Sequence, residues 1–408
     1  MARRRKTKHA TVGLPVLNPD AAGIDIGATE MYVAVPPDRD TQPVRCFASF
    51  TEDLHSIADW LQQCRIRTVA MESTGVYWIP IMQILEKRGL DVYLVNARYA
   101  KNVPGRRTDV CDCLWLQYLH AVGLLRASFR PADKVCAVRS LLRHRDGLVE
   151  LATCHVQHMQ KALDQMNLQL HHVISDVTGT TGLAIIEAIL AGERQPEKLV
   201  ELCDPQILKT KKASMLEALR GLWRKEHLFA LELALESYES YQRQIAKCDA
   251  QIAEVIQGLS GGKPTPELGQ AKELRHNALD LEGLQTQMAQ IFGKDLTKLP
   301  CINESTAALL LAEIGCDMSG WKDWRHFGSW LALAPCNAQS GRKRRRVKRY
   351  LTRAARILCR AVQCMAVGKH TWLASYYRRI RAKRGSKVAI KATAYKLAKL
   401  IFLVLTQG

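Results

Sequence analysis

Gly23-Ile24-Asp25-Ile26-Gly27 and Val69-Ala70-Met71-Glu72-Ser73-Thr74-Gly75 are two short apolar runs of one construction. Each ends on an acid, with a glycine close behind that lets the chain turn away. Their length and apolar content read as buried strands. A carboxylate at the end of such a strand costs several kcal/mol unless it is paired or holds a cation. What the two acids can do therefore depends on whether their strands are neighbours.

Around these runs the pattern is regular. Ala22 to Ile26, Met31 to Val35 and Val44 to Phe50 read as three strands, separated by Gly27 and by Pro36-Pro37-Asp38. Thr51, with Glu52 and Asp53 in the first turn, starts a helix to about Cys64, with Leu54, Ile57, Ala58 and Leu61 on one face. Thr68 to Met71 is a buried strand closed by Glu72, Gly75 to Arg88 a second helix, Asp91 to Val95 a strand, and Thr108 to Leu125 a third helix. The order βββαβαβα is that of the ribonuclease H-like fold, in which the first and fourth strands lie side by side at the centre of a mixed sheet. That adjacency brings Asp25 beside Glu72. The third helix adds Asp109 and Asp112, whose i, i+3 spacing puts both carboxylates on one face. Asp109 alone is also explained by its place near a helix N-terminus. Together, four carboxylates from three converging elements describe a two-metal site for Mg²⁺, with Mn²⁺ as a substitute, the ions ~3.5–4 Å apart across a phosphodiester.

Downstream the chain is helical. Apolar residues recur at helical spacing from Val138 to about Ile174, and Leu231, Leu235, Tyr238, Ile245, Ile252, Ile256 and Leu259 follow a four-three alternation, with Gln242 and Asp249 on two seam positions. Such spacing predicts two long helices pairing as a coiled coil, in cis or across protomers. Gly261 to Pro266 reads as a linker and Glu267 to Phe292 as a further helix. Leu299-Pro300-Cys301-Ile302-Asn303, followed by Ser305 to Gly315, looks like a helix-hairpin-helix element without its usual glycine pair, so DNA contact and plain packing stay open there. Trp321, Trp324, Phe327 and Trp330 read as core aromatics, followed by helices near Leu351 to Met365 and Lys387 to Leu405.

The chain has 408 residues, 47% apolar and 24% charged, enough for two or three domains and unlike a disordered or fibrous protein. Its formal charge of +20 is local: Ala338 to Gly408 holds 20 Lys or Arg and no acid, leaving 39 of each sign in the rest. A field that concentrated calls for a polyanion. No membrane role is expected: the late apolar run Leu400 to Leu405 is far short of the ~20 residues a span needs. Arg3, Arg4, Arg5, Lys6 and Lys8 lead into Pro15 and Pro19 rather than into an export signal. Thirteen cysteines without a CxxC read as reduced, mostly buried thiols, and the chain is expected in the cytoplasm, at the nucleoid when bound to DNA.

Asp25, Glu72 and the Asp109/Asp112 pair resemble the DEDD tetrad of the transposases of insertion-sequence family 110, including its 1111-like subgroup, whose N-terminal domain is similar to the RuvC Holliday-junction nuclease. Val177-Thr178-Gly179-Thr180-Thr181-Gly182, Ala191 to Arg194 and Gly221 to Phe229 resemble the family's middle region, and Leu299 to Gly315 its C-terminal transposase domain. The resemblance implies a fold that is α/β plus all-α. Its parts are a basic arm over 1–20, a RuvC-like nuclease domain over 21–130, a helical coiled-coil region over 131–292, and a mainly helical, basic, serine-bearing domain over 293–408.

The resemblance also selects Ser340 as a catalytic serine, with Ser329 as the fallback; taken alone, Ser340-Gly341 reads as a turn capping the basic segment. A serine that attacks a DNA phosphate keeps the ester energy in a covalent link, so the strand can be rejoined without a nucleotide cofactor. Arg342, Lys343, Arg344, Arg345, Arg346, Lys348 and Arg349 are the expected nucleic-acid contacts. This charged run departs from the family, which often has glycines and fewer charges after the Ser-Gly pair. Implied partners are donor and target DNA, a structured non-coding guide RNA and further copies of the chain, as a dimer or tetramer. Two rival readings remain, a junction nuclease using water and a non-catalytic architectural protein. His144-Arg145-Asp146, Gly261-Gly262-Lys263 and His171-His172 lack the companions that kinase, P-loop or metal sites require.

Overall fold

A computed structural model describes residues 14–73, 75–96, 109–274, 276–335, 339–340, 343–344, 350–366 and 371–407. They fall into two compact units, Met1–Arg130 and Pro131–Gly408.

The first unit is built on a five-stranded sheet of β1 (Ala21–Ile26), β2 (Glu30–Ala34), β3 (Val44–Ala48), β4 (Thr68–Glu72) and β5 (Asp91–Val95), in the order β3-β2-β1-β4-β5. The first three strands form an antiparallel meander, with Ile26 opposite Met31. The amide of Gly27 closes its first turn on the Glu30 carbonyl at 3.0 Å. The fourth strand joins β1 in parallel, Ile24 opposite Met71, and β5 joins β4 in parallel, Glu72 opposite Val95. Both faces are covered, which is why β1 and β4 are apolar almost throughout. Ile24, Ile26, Val69 and Met71 point to one side and pack with Ile57 and Leu61 of α1 (Thr51–Gln63) and Ile81 and Leu85 of α2 (Trp78–Lys87). Ala70 and Val95 point to the other, against Leu116 and Leu119 of α3 (Asp109–Ala121).

Two helix ends differ from the expected ones for local reasons. Helix α2 begins at Trp78 rather than Gly75, because Gly75 sits at φ +53, outside helical space, and its carbonyl accepts from the Trp78 indole at 3.2 Å. Pro80 then falls in the first turn, where its missing N–H costs nothing. Helix α3 stops at Ala121 because Gly123 turns left-handed at φ +71 and the Leu124 amide returns to the Leu119 carbonyl at 2.9 Å.

The second unit is helical around one long hairpin. Helices α4 (Asp133–Gln165) and α9 (Lys225–Ser260) run antiparallel, as the pairings of Arg145 with Asp249 and of His155 with Tyr241 fix. Val138, Leu142, Leu148, Ala152 and Met159 meet Leu231, Tyr238, Ile245, Ile252 and Ile256 along the seam, so the coiled coil forms within one chain. At its far end lie α5 (Leu170–Val173), α6 (Thr180–Leu190), α7 (Pro196–Glu201) and α8 (Pro205–Ala218). Asp204 caps α8 by accepting from the Gln206 amide.

The helix expected over 267–292 is confined to α10 (Leu284–Phe292). Tertiary bonds hold the preceding segment out of helical form: the Gly269 amide donates to Asp295, and the Lys272 ammonium reaches the carbonyls of Thr297, Leu299 and Ile302. The remainder comprises α11 (Glu304–Ile314), α12 (Trp324–Trp330), a two-strand ribbon of β6 (Gln339–Ser340) and β7 (Lys343–Arg344), and helices α13 (Arg353–Ala366), α14 (Trp372–Arg384) and α15 (Ser386–Gln407). Phe327, Leu358, Val362, Leu397 and Ile401 are buried at its centre. Among the described residues, no helix is long and apolar enough to cross a membrane.

Candidate active site

The parallel pairing of β1 with β4 runs Gly23↔Ala70 and Ile24↔Met71, so Asp25 and Glu72 follow at the same level of two adjacent strands. Side chains alternate along a strand, so Asp25 shares its face with Gly23, and Glu72 with Ala70. Both faces belong to the side covered by α3. Ala70 packs against Leu116 and Leu119 there. A Cβ on Gly23 would lie 2.4 Å from both the Cys113 carbonyl oxygen and the Gln117 amide nitrogen. Glycine at this position lets the backbone of α3 rest directly on β1.

The direction of α3 follows from the same contacts. Gln117 Nε2 donates to the Ala21 carbonyl at 3.2 Å, and Gly23 faces both Cys113 and Gln117. Moving forward along β1 is therefore moving back along α3, toward its N-terminal turn with Asp112 and Asp109. Electrostatics agrees: the buried Cys113 thiol is pushed up to about 12, mostly by desolvation and further by the negative charges of Asp25 and Asp112. Burial thus holds Cys113 toward its neutral thiol form on the face that α3 turns to β1. Glu72 is 7% exposed and Asp112 half-buried. Of Asp109 the structure describes the backbone, in the first turn of α3.

The donor set of Asp25, Glu72 and Asp112 is all carboxylate oxygen, which suits a hard divalent cation. Among the described residues, which exclude the Asp109 side chain, no three ligating side chains converge closely enough to hold an ion by themselves.

The residues singled out near the C-terminus lie in the second unit. The backbone of Ser340 pairs antiparallel with Lys343 in the β6–β7 ribbon, and Gln339 with Arg344. Arg342, Arg345, Arg346, Lys348 and Arg349 lie outside the described residues. Ser329 is exposed on α12. The hairpin-like turn at Leu299 to Asn303 has its polar groups engaged by the protein. Cys301 takes the positive φ, +59, that a glycine would otherwise supply, Lys272 holds three carbonyls of the segment, and Asn303 caps α11 through the Thr306 amide. With Glu304 adding a carboxylate in the first turn of α11, the element favours packing over phosphate contact.

Sequence reading passed over several residues. Gly23 carries the seat of α3, and a glycine inside an otherwise apolar strand was its signal. Arg145, set aside within His144-Arg145-Asp146, pairs with the seam residue Asp249 and donates to the carbonyls of Asn277 and Ala278. Arg139 and Arg143 hold the C-terminal end of α11, the first through the carbonyls of Ala312 and Glu313, the second through both oxygens of the Glu313 carboxylate. Arg353 of α13 pairs with Asp146 and Glu313. These bonds couple the base of the long hairpin to the C-terminal helices.

Comparison with known families gives two matches. A model described as a transposase, the DEDD transposase of IS110, matches residues 22–168, the span that contains all four acids. A second, described as a transposase of the IS116/IS110/IS902 family, matches residues 293–378, the span that contains Ser340. No curated protein matches the chain. A DEDD-type domain points to a requirement for a divalent metal. With one model over the N-terminal part of the chain and one over the C-terminal part, and with Asp25 and Glu72 level on adjacent strands of the first, the chain belongs to the IS110 family of transposases, enzymes of DNA transposition and recombination.

Proposed function

We propose that the first unit is a RuvC-like, ribonuclease H-like nuclease domain, and that Asp25, Glu72, Asp109 and Asp112 hold Mg²⁺ at the reacting phosphodiester. The observation that carries the reading is the parallel adjacency of β1 and β4, with Asp25 and Glu72 level on the face that α3 covers through Gly23. The bound cation offsets charge on the phosphate and lowers the cost of deprotonating a hydroxyl beside it. The carboxylates orient that charge from three elements whose spacing is fixed by packing.

In the same reading Ser340 is the nucleophile. Its hydroxyl oxygen attacks phosphorus, the bridging P–O bond breaks, and the proton lost by the serine is balanced by the one taken up by the leaving oxygen, which releases one DNA end as a free hydroxyl. The new serine phosphodiester conserves the bond energy. Attack by the hydroxyl of a second DNA end then restores a DNA phosphodiester and frees the serine. The cations that follow Ser340, from Arg342 to Arg349, offset charge on the phosphate during both steps. Base pairing with a structured guide RNA selects donor and target, which leaves backbone and shape to the protein, as in other RNA-guided systems. Two strands at two sites require a dimer or tetramer.

The test is a denaturing gel of protein incubated with Mg²⁺, end-labelled element-end and target DNA, and RNA transcribed from the element's flank. A protein-linked DNA band is expected, absent in Ser340→Ala and in Asp112→Ala. Free cleaved ends in equal yield from wild type and Ser340→Ala would replace the serine mechanism with hydrolysis by water.

A further inference from the structure

Most arginines at the base of the long hairpin use their charge internally, on carboxylates or helix-end carbonyls. Helix α14 is different. Arg378, Arg379, Arg381, Lys383 and Arg384 are all exposed, and none makes an ion pair among the described residues. Neither α14 nor α15 contains an acid. Five uncompensated cations on one 13-residue helix repel one another, and a polyanion relieves that cost.

The aromatic residues of the same helix narrow the kind of polyanion. Trp372, Tyr376, Arg379 and Lys383 recur at spacings of four, three and four, which is one stripe along a helix. Leu373, Ala374 and Tyr377 point the other way into the core. Trp372 is 53% exposed, whereas Trp321 of the same unit is 7% exposed. The Arg379 guanidinium lies 5.6 Å from the Tyr376 ring centroid. Beside it a groove of about 340 Å³ runs between α14 and α15, lined by Arg379, Lys383, Arg384 and Val388.

We infer that this stripe binds an unpaired strand of DNA, its bases stacking on Trp372 and Tyr376 and its phosphates held by Arg379 and Lys383. Phosphates alone would be served by the cations. An exposed indole at the end of the row is useful only where a base has a free face, which a duplex does not offer. The stripe carries rings and donors but no carboxylate or amide to read a 2′-hydroxyl, and strand exchange supplies an unpaired DNA strand. From Trp372 to Lys383 the helix rises about 16 Å, the length of about five stacked nucleotides. The inference rests on the transposase reading above and adds to it a site separate from Ser340.

Fluorescence anisotropy with labelled 20-nucleotide single-stranded DNA, the matching duplex and single-stranded RNA tests it on the full-length protein. Trp372→Ala is expected to weaken single-stranded DNA binding about tenfold with the salt dependence unchanged. Arg379→Gln with Lys383→Gln is expected to reduce the slope of log K against log salt by about 1.4, at about 0.7 per lost phosphate contact. Lys247→Gln, an exposed charge on α9, should change neither. Circular dichroism checks the fold of each variant. Wild-type affinity in both stripe variants overturns the proposal, as does an equal loss on duplex, or binding of RNA alone. If the stripe variants lose single-stranded DNA while wild type forms no serine-linked DNA, the catalytic reading fails and the stripe stands. Serine-linked DNA in wild type with unaltered binding in the variants has the opposite meaning.

Discussion

Replacing Gly23 by alanine tests whether the seat of α3 on β1 sets the geometry of the acids. The added Cβ would lie 2.4 Å from the Cys113 carbonyl oxygen and the Gln117 amide nitrogen, and 3.0 Å from the Gln117 Cα. All three are backbone atoms, so no rotamer change makes room. Ordinary contact begins near 3.4 Å, so α3 has to retreat by about 1 Å. Overpacking of that kind costs about 1–3 kcal/mol, and in a unit of this size each kcal/mol lowers the melting temperature by about 4 °C. The retreat carries Asp112 and Asp109 away from Asp25 and Glu72, and a misplacement of about 1 Å at reacting groups costs about 10²-fold in rate.

Thermal unfolding and Mg²⁺-dependent strand cutting read the two effects separately. Gly147→Ala in α4, where an added Cβ meets nothing within 4 Å, is the control and should stabilise by about 0.5–1 kcal/mol. Wild-type melting of Gly23→Ala would refute the packing argument. A lowered melting temperature with full activity well below it would refute the link between this seat and catalysis.

Other positions give independent expectations. Arg145→Met strands the Asp249 carboxylate and the carbonyls of Asn277 and Ala278 in the hairpin seam, and should cost about 3–5 kcal/mol by urea unfolding, with Arg145→Met/Asp249→Leu recovering much of it. Lys272→Met removes the ammonium shared by three carbonyls and should cost about 2–4 kcal/mol, read by the same method. His120, 1% exposed, is pushed down by burial to about 4 from its usual 6.5. As pH falls the unfolded chain takes up that proton first, so the contribution, about 3 kcal/mol, is complete above pH 6.5 and lost between there and pH 4. His120→Gln should flatten the stability profile in that window, as unfolding at a series of pH values would measure.

Much of the first unit was legible because its signals are local. Short apolar runs bounded by turn residues marked the strands, and their order with the intervening helices matched a fold whose first and fourth strands pair, so the level placement of Asp25 and Glu72 was expected from the sequence. What was illegible depends on partners distant in the chain. Whether the coiled coil closed in cis could not be read from the seam, because Asp249 reads as a flaw until Arg145 lies opposite it. The segment after Glu267 carries helix-compatible residues, yet Gly269 and Lys272 are held by groups 25 to 30 positions away. The function of Gly23 required knowing that a helix, rather than a side chain, covers it.

Charge shows the same distinction between composition and placement. A net +20 concentrated near the C-terminus invites a picture of one basic surface, but the arginines do not act alike. Arg353 lies within the acid-free stretch and is nonetheless matched by Asp146 and Glu313 from outside it, so its charge is neutralised in the fold. Among the described residues the Arg378 to Arg384 group has no such partner, and neither α14 nor α15 contains an acid. Protein-internal pairs of the first kind change little when salt is added, whereas uncompensated cations facing solvent govern how affinity for a polyanion falls with salt. The residues to associate with nucleic acid are therefore those whose charge the fold leaves unmatched, a criterion that separates the α14 cations from Arg353 although all lie in the acid-free stretch.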